Sequence, residues 1–194
     1  MKIAMLTNAY PPNVDISEKE FLDLRSRWLI KNADLDLIED YLIKNQIINL
    51  HPKLTRYLLD QYLSEANVEQ ACKLLSKNLQ PIEDEYLSKF NIYCLIKSGK
   101  QEEAQLFFDL KKELGFSDKY FENRVSYLLG YTSQVDNLIS EKSVFEFHLA
   151  HQTNPDFTFE PDENTSKIIW KYLSSSNLLN SFNQIDSSEL DKIS

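Results

Sequence analysis

The segments YLSEANVEQACKLL (Tyr62–Leu75) and LIKSGKQEEAQLFF (Leu95–Phe108) share one pattern of apolar, turn and alanine positions. Their central alanines, Ala71 and Ala104, lie 33 residues apart, and the same step backward reaches Ile38 within a similar segment, LIKNADLDLIEDYL. A step forward reaches LLGYTSQVDNLI, where the pattern is weaker. A fixed period of this length is the sequence signature of a repeat protein. We therefore expect about four copies of one structural unit.

Other positions keep the same register of 33 residues. When the copies are aligned, two adjacent positions are apolar in every copy and a third position lies in the turn. The first apolar position contains Leu29, Tyr62, Leu95 and Leu128, and the second contains Ile30, Leu63, Ile96 and Leu129. The turn position contains Ala33, Ala66 and Gly99. The apolar residues recur at helical spacing between these turns, which predicts an amphipathic helix on each side.

Helix-start signals divide each copy into two helices. The sequence Ser17–Glu20 is typical of a capping box, and Asp34 and Asn67 are expected to cap the second helices of their copies. Pro52 suits the first turn of a helix, and Gly99 suits the break between two helices. Each copy is therefore predicted to be a helical hairpin. A single hairpin cannot bury its apolar face, so the hairpins are expected to stack.

The predicted fold is all-α: an α-solenoid of about four helix-turn-helix repeats with an irregular helical C-terminal cap. The repeats are assigned to residues 17–140, with the fourth running from Ser117 to about Ile139. A remnant helix and a Pro-Pro loop precede them over 1–16, and the cap follows over 141–194. The cap is expected to contain a helix near Ser143–His151 and another after Thr165, and to cover the last hairpin with Phe145, Phe147, Phe157 and Phe159.

The hairpin unit resembles a tetratricopeptide (TPR) repeat. The run GKQEEA (Gly99–Ala104), followed four residues later by Phe108, carries the resemblance best, and Tyr62 before Ala71 also fits. The chain departs from the family pattern in its period, which is one residue shorter, in the missing closing proline, and in Lys111, where a small residue is common. The resemblance covers about 17–139. It implies an array whose first helices line a concave groove, and it is nearly silent on activity.

The composition narrows the classes of function. The chain has 30 acidic and 21 basic residues, a net charge of −9, so its overall field disfavours nucleic acid and anionic membranes as partners. Only three glycines are present, which argues against a phosphate-cradling α/β enzyme. Cys72 and Cys94 are interpreted as unpaired, buried structural thiols. Without a recognisable signal peptide the chain is expected to be cytoplasmic as given, or periplasmic if it belongs to an exported parent.

The implied groove supplies the candidate binding site. The first helices are expected to present basic and tyrosine side chains at spacings of three and four, so the inner face would be positive in an acidic protein. The predicted partner-binding residues are Arg27, Lys31, Lys53, Arg56, Asp60, Tyr86, Lys89, Tyr93 and Lys97. This surface suits a protein or an acidic peptide segment. The alternative interpretation is that these are ordinary solvated helix positions.

Two motifs suggest chemistry. The opening MKIAMLTNAYPP resembles the first strand and loop of retaining sugar-nucleotide glycosyltransferases, but the glycine pair that follows in that family is missing. His148 and His151 share a helix face and are interpreted as packing residues with a polar edge, with metal binding as the alternative. We therefore predict no enzymatic activity, no cofactor and no metal.

The favoured function is a non-enzymatic protein-interaction scaffold with a groove for a partner segment. The alternative is a structural arm of a larger, possibly exported or enzymatic, repeat protein. Residues 187–194 resemble the start of a further helix, which favours that alternative. The sequence leaves the oligomeric state and the identity of the partner open.

Overall fold

A computed structural model describes residues 6–7 and 15–179 of the chain, and these residues confirm the all-α class. Between residues 15 and 179 the chain forms nine helices and no strand. We number them in chain order: α1 Glu18–Asn32, α2 Leu35–Lys44, α3 Pro52–Ser64, α4 Val68–Leu75, α5 Glu85–Lys97, α6 Gln101–Glu113, α7 Lys119–Leu128, α8 Val144–Thr153 and α9 Lys167–Ser175.

The helices begin where local sequence signals place them. The Ser17 side chain accepts a hydrogen bond from the Glu20 backbone N–H, and the Glu20 carboxylate accepts one from the Ser17 N–H, which completes the capping box. Asp34 and Asn67 cap α2 and α4 with their side chains. Pro52 occupies the first position of α3. These starts depend on contacts within one turn of the chain, and the predictions for them are confirmed.

Alternate helices of the chain pack against one another. Helix α1 packs against α3, α3 against α5 and α5 against α7, while α2 and α4 lie against α3, and α4 and α6 against α5. The column formed by Ile38, Ala71 and Ala104 is fully buried, at 0% exposure for each residue. Alanine in this column leaves little side chain between neighbouring helices, so their backbones approach closely. This position of the sequence pattern is therefore buried in each of the first three copies, as Ile38, Ala71 and Ala104.

The fourth copy differs from its prediction, because only its first helix, α7, forms. Residues 129–143 run without a helix up to Ser143, which caps α8. Asn137 replaces the buried alanine of the earlier copies. Arg124, which is 1% exposed, also holds this segment, since its Nη2 donates to the Asp136 carboxylate at 3.1 Å and to the Leu138 carbonyl at 2.5 Å. Because Arg124 binds the side chain of Asp136 and the backbone carbonyl of Leu138, the segment follows a non-helical path.

The C-terminal helices lie across several first helices rather than over the last hairpin alone. Helices α8 and α9 pack against each other and against α3, and α8 also packs against α7. The Phe145 ring stacks on Phe90 with 4.6 Å between ring centroids, and it has edge contacts with Tyr86 and Tyr93. The aromatic residues of α8 therefore cover a face of α5 that the repeat pattern assigns to the groove.

Two predicted segments fall outside the described residues. These are the remnant helix with its Pro-Pro loop, apart from residues 6–7, and the helix start at 187–194. Within the described part, no helix is long and apolar enough to cross a membrane.

Candidate functional site

Three of the predicted groove residues form one compact cluster. The Tyr86 hydroxyl donates a hydrogen bond to Asp60, and the Arg56 guanidinium lies over the Tyr86 ring at 4.2 Å from its centroid. Arg56 Nε is 3.7 Å from Asp60 Oδ2, which makes a long ion pair. Burial raises the pKa of Asp60 to about 6, against the hydrogen bond from Tyr86 and the charge of Arg56, which lower it. The charges of this cluster are largely compensated within the chain.

Two further predicted cations are also paired. The Lys89 ammonium lies 2.7 Å from Glu85 and 2.6 Å from Asp118, and only 15% of its side chain is exposed. Lys53 is 3.7 Å from Asp23, with about half of each side chain exposed. Each positive charge thus has an acidic neighbour, so these residues contribute less to an attractive field than the bare sequence suggests.

The remaining four predicted groove residues lie in different environments. Tyr93 is fully buried at 0% exposure, and its hydroxyl is 2.6 Å from Nε2 of His148. Lys97 is exposed at the end of α5. Arg27 and Lys31 are exposed on α1, and neither forms a salt bridge with another described residue. The structure therefore brings Arg56, Asp60 and Tyr86 together and separates the others.

A cleft of about 990 Å³ lies beside Lys97. Its walls come from the turn at 65–69, the exposed side of α4, the end of α5, and the helices α8 and α9. This volume is at the upper end of the range for ligand pockets, and the cleft opens to solvent. Helices far apart in the sequence therefore form one concave surface, which we call the α4–α9 cleft.

A chain of hydrogen bonds forms the inner wall of the α4–α9 cleft. Tyr93 bonds to Nε2 of His148 at 2.6 Å, and Nδ1 of His148 lies 2.8 Å from the Tyr172 hydroxyl. The same hydroxyl lies 2.7 Å from Nδ1 of His151. One assignment of protons satisfies every group: Tyr93 donates to His148, His148 to Tyr172, and Tyr172 to His151. Nε2–H of His151 then remains as a donor beyond the end of the chain.

Burial keeps this network neutral. It lowers the pKa of His148 to about 3, with smaller contributions from the charges of His151 and Lys97, and it lowers the pKa of His151. Burial also raises the pKa of the Tyr93 and Tyr172 hydroxyls. At neutral pH the wall therefore offers hydrogen bonds but no net charge.

The charge of the cleft comes from its rim. Lys73 and Lys97 line the cleft, and neither forms a salt bridge within the described part of the chain. Of the two acidic residues at the rim, Glu65 pairs with Lys171 at 2.8 Å, which leaves Glu69. Two uncompensated cations therefore face one uncompensated carboxylate. The cleft has a weakly positive rim although the whole chain is acidic.

The prediction that Cys72 and Cys94 are unpaired thiols is wrong. The two form a disulfide between α4 and α5, with Cα atoms 5.3 Å apart. Helices α4 and α5 belong to consecutive hairpins and pack side by side, which brings the two cysteines within bonding distance. Cys94 is 6% exposed, whereas Cys72 lines the α4–α9 cleft. The repeat register was the signal that could have found this pair, because it makes α4 and α5 neighbours.

The histidine pair packs as predicted. His148 and His151 have edge contacts with the Tyr172 ring, and His151 also contacts Phe157. No group of three or more metal-ligating side chains occurs among residues 6–7 and 15–179. No sequence pattern identifies Tyr172 as the residue that links both histidines, because the hydrogen bonds run from α8 to α9.

Comparison of the chain with protein-family models, with curated proteins and with solved structures gave no match. Its function is therefore inferred from its own residues.

Proposed function

We propose that this protein is a non-enzymatic scaffold, a TPR-like array of helical hairpins that binds an acidic segment of a partner protein. Its binding site would be the α4–α9 cleft, which includes Lys97 from the predicted groove. The consecutive packing of α1, α3, α5 and α7 and the buried position shared by Ile38, Ala71 and Ala104 support the repeat arrangement.

The observation that carries the proposal is the chemistry of the cleft. Lys73 and Lys97 supply uncompensated positive charge at the rim, and His151 supplies a hydrogen-bond donor within it. Carboxylates accept charge-assisted hydrogen bonds from such groups. The disulfide and the buried tyrosine–histidine network hold the walls, so the site requires little ordering on binding.

The same network supports a non-enzymatic role. Both ring nitrogens of His148 are bonded to tyrosine hydroxyls, so the imidazole has no free nitrogen for a substrate. Tyr93 and Tyr172 have raised pKa values and remain protonated at neutral pH. The network therefore positions the wall of the cleft and does not activate a nucleophile.

A charge-reversal experiment tests the proposal. The full chain and the double variant Lys73→Glu/Lys97→Glu are titrated against an array of fluorescent acidic peptides and against the matching Gln/Asn peptides. We expect the wild type to bind acidic peptides and the variant to lose at least about tenfold in affinity, because two attractive charges become repulsive. Lys77→Glu is the matched control, since Lys77 is exposed one turn beyond Lys73 and does not line the cleft. Equal binding by all three proteins would refute the proposed site.

A second candidate function is a structural arm of a larger, exported protein, and the disulfide favours it. Both cysteines of the chain are paired, and such bonds persist mainly in oxidising compartments. Under this proposal the protein works outside the reducing cytoplasm, contrary to the cytoplasmic location expected from the sequence. Alkylation of free thiols in freshly lysed source cells, followed by mass spectrometry, tests it. Blocked Cys72 and Cys94 would support the exported arm, whereas two alkylated thiols would contradict it.

A further inference from the structure

Arg25 is a buried cation that forms no ion pair with any residue that the structure describes. It lies in α1 at 3% exposure, and Nη1 donates to the Tyr41 hydroxyl at 2.9 Å. Its Nε and Nη2 atoms are buried and have no hydrogen-bond partner among residues 6–7 and 15–179. Removing an ion from water is costly unless another charge and hydrogen bonds compensate for it. The described residues therefore do not supply the hydrogen-bond acceptors that the buried guanidinium of Arg25 requires.

The repeat register provides an internal comparison. Arg124 lies 99 residues after Arg25, three periods of 33, and is likewise buried, at 1% exposure. Each guanidinium lies over the aromatic ring four residues before it, Phe21 at 4.6 Å and Tyr120 at 4.2 Å. Arg124, however, has a carboxylate partner in Asp136 at 3.1 Å. Among the described residues, Arg124 Nη2 therefore has a carboxylate partner, although its Nε has no hydrogen-bond partner, whereas Arg25 has no carboxylate partner and both its Nε and Nη2 lack one.

In the described part of the chain, the groups in contact with Arg25 and its neighbours include hydroxyls and an imidazole but no carboxylate. Ser26 and Tyr41 contact His51 at 3.4 Å each, and all three are buried. Burial and the charge of Arg25 lower the pKa of His51 to about 4, so the imidazole is neutral and adds no second cation. Among residues 15–179 no carboxylate forms a salt bridge with Arg25.

The sequence limits where a counter-charge can come from. Before residue 15 the only charged side chain is Lys2, so that segment offers no carboxylate. After residue 179 the chain contains Asp186, Glu189 and Asp191.

We propose that Arg25 anchors a carboxylate-binding site at the N-terminal end of the helical array, separate from the α4–α9 cleft and independent of the function proposed for it. The carboxylate comes from outside the described residues, either from the acidic side chains after residue 179 or from a separate molecule. It accepts a hydrogen bond from Nη2, as Asp136 does at Arg124, and a second one from Nε. Phe21 is only partly buried and covers one face of the guanidinium, so movement of its ring opens the route to the site.

Thermal unfolding of the full chain tests the proposal with acetate as the probe. Tm is measured at about pH 7.5 in sodium acetate and in sodium chloride of equal ionic strength, for the wild type, Arg25→Met and Arg124→Met. A separate carboxylate as occupant predicts a rise in wild-type Tm of roughly 2–4 °C in acetate. Arg124→Met should keep that rise, because its carboxylate partner is already present, and Arg25→Met should lose it.

A second arm tests the chain's own acidic residues. If they fill the site, the triple variant Asp186→Asn/Glu189→Gln/Asp191→Asn lowers Tm in the wild-type background but not in the Arg25→Met background, and acetate restores the lost stability. The ¹⁵N resonance of Arg25 Nε, followed during an acetate titration of the triple variant, gives a measurement that does not require an Arg25 variant to fold. The proposal is overturned if acetate moves neither Tm nor this resonance and the triple substitution has the same effect in both backgrounds.

Discussion

At the scale of single residues, Ala66 has the left-handed backbone conformation that Gly99 has at the equivalent position one period later. Ala66 has φ of 57°, in the left-handed region, and Gly99, one period later, has φ of 75°. Both turns close with the same pair of backbone bonds: Ala66 N–H to Leu63 O and Asn67 N–H to Tyr62 O, then Gly99 N–H to Ile96 O and Lys100 N–H to Leu95 O. The geometry is equivalent, but alanine adopts it at a cost that glycine avoids.

This pair gives a prediction with its own control. Ala66→Gly should raise the free energy of unfolding by about 0.5–1 kcal/mol, because the relief of left-handed strain exceeds the added freedom of the unfolded chain. Gly99→Ala should lower the free energy of unfolding by about 1 kcal/mol. A Cβ at Gly99 meets nothing within 4 Å, so the cost comes only from the left-handed backbone conformation of the alanine. Urea denaturation of both variants checks this. A destabilised Ala66→Gly protein would show that the left-handed turn is not populated in solution.

Asp60 gives a second prediction at this scale. Its pKa in the folded protein is about 6, above the ordinary value of 3.8, so the folded state binds a proton more tightly than the unfolded state between those values. Stability from this residue is therefore lost as pH rises through 6. Asp60→Asn should be more stable than the wild type at pH 7 by about 1–3 kcal/mol and equal to it near pH 4. Chemical denaturation at both pH values measures the difference, and a variant less stable at pH 7 would contradict it.

At the scale of helices and loops, the sequence predicts what local contacts decide. Caps such as Ser17, Asp34 and Asn67 act within one turn, so the helix starts follow from sequence. The repeat pattern predicts that the fourth hairpin continues to about Ile139, but residues 129–143 form no helix, because their path depends on the long-range bonds of Arg124. The position of α8 and α9 depends on contacts with helices more than 50 residues earlier in the chain, such as that between Tyr93 and His148. The periodic pattern of the sequence does not predict such contacts. Half of the α4–α9 cleft was therefore beyond prediction.

The disulfide gives a prediction at the scale of elements. Cys72 and Cys94 are 22 residues apart and tie α4 to α5, so the bond restricts the unfolded chain. Reduction should lower the free energy of unfolding by roughly 3 kcal/mol. Urea denaturation with and without a thiol reductant measures this, and the variant Cys72→Ser/Cys94→Ser serves as the control that reductant should leave unchanged. An equal effect of reductant on both proteins would show that the bond does not stabilise the fold.

At the scale of the whole molecule, the C-terminal helices change which surfaces of the earlier helices are exposed. Helices α8 and α9 fill the face of α3 and α5 on which a groove was predicted, and Tyr86 and Tyr93 pack against Phe145 there. The same packing creates the α4–α9 cleft at the edge of the filled face. The site we propose is thus a product of the entire fold, and its inner wall depends on two buried histidines that must remain neutral.

This dependence gives a final prediction, the response of stability to pH. All three histidines of the chain have lowered pKa values in the folded protein, chiefly through burial: His51 to about 4, His148 to about 3, and His151 below 6.5. Below pH 6.5 the unfolded chain therefore binds more protons at these sites than the folded chain does, and stability is lost as pH falls. Asp60 opposes this between about pH 6 and 4. We expect the free energy of unfolding to rise by about 1–3 kcal/mol per pH unit between pH 4.5 and 6.5, then level off.

Two variants separate the contributions to this slope. His51→Gln should reduce it by about 1.4 kcal/mol per pH unit, because one site that binds a proton only in the unfolded chain is removed. Asp60→Asn should steepen it, because the opposing carboxyl is lost. The slope, rather than stability at one pH, is the quantity to compare, so a general destabilisation by either substitution does not obscure the result. A wild-type curve that is flat between pH 4.5 and 6.5 would mean that the histidines are solvated, and the wall of the α4–α9 cleft would then be open rather than closed.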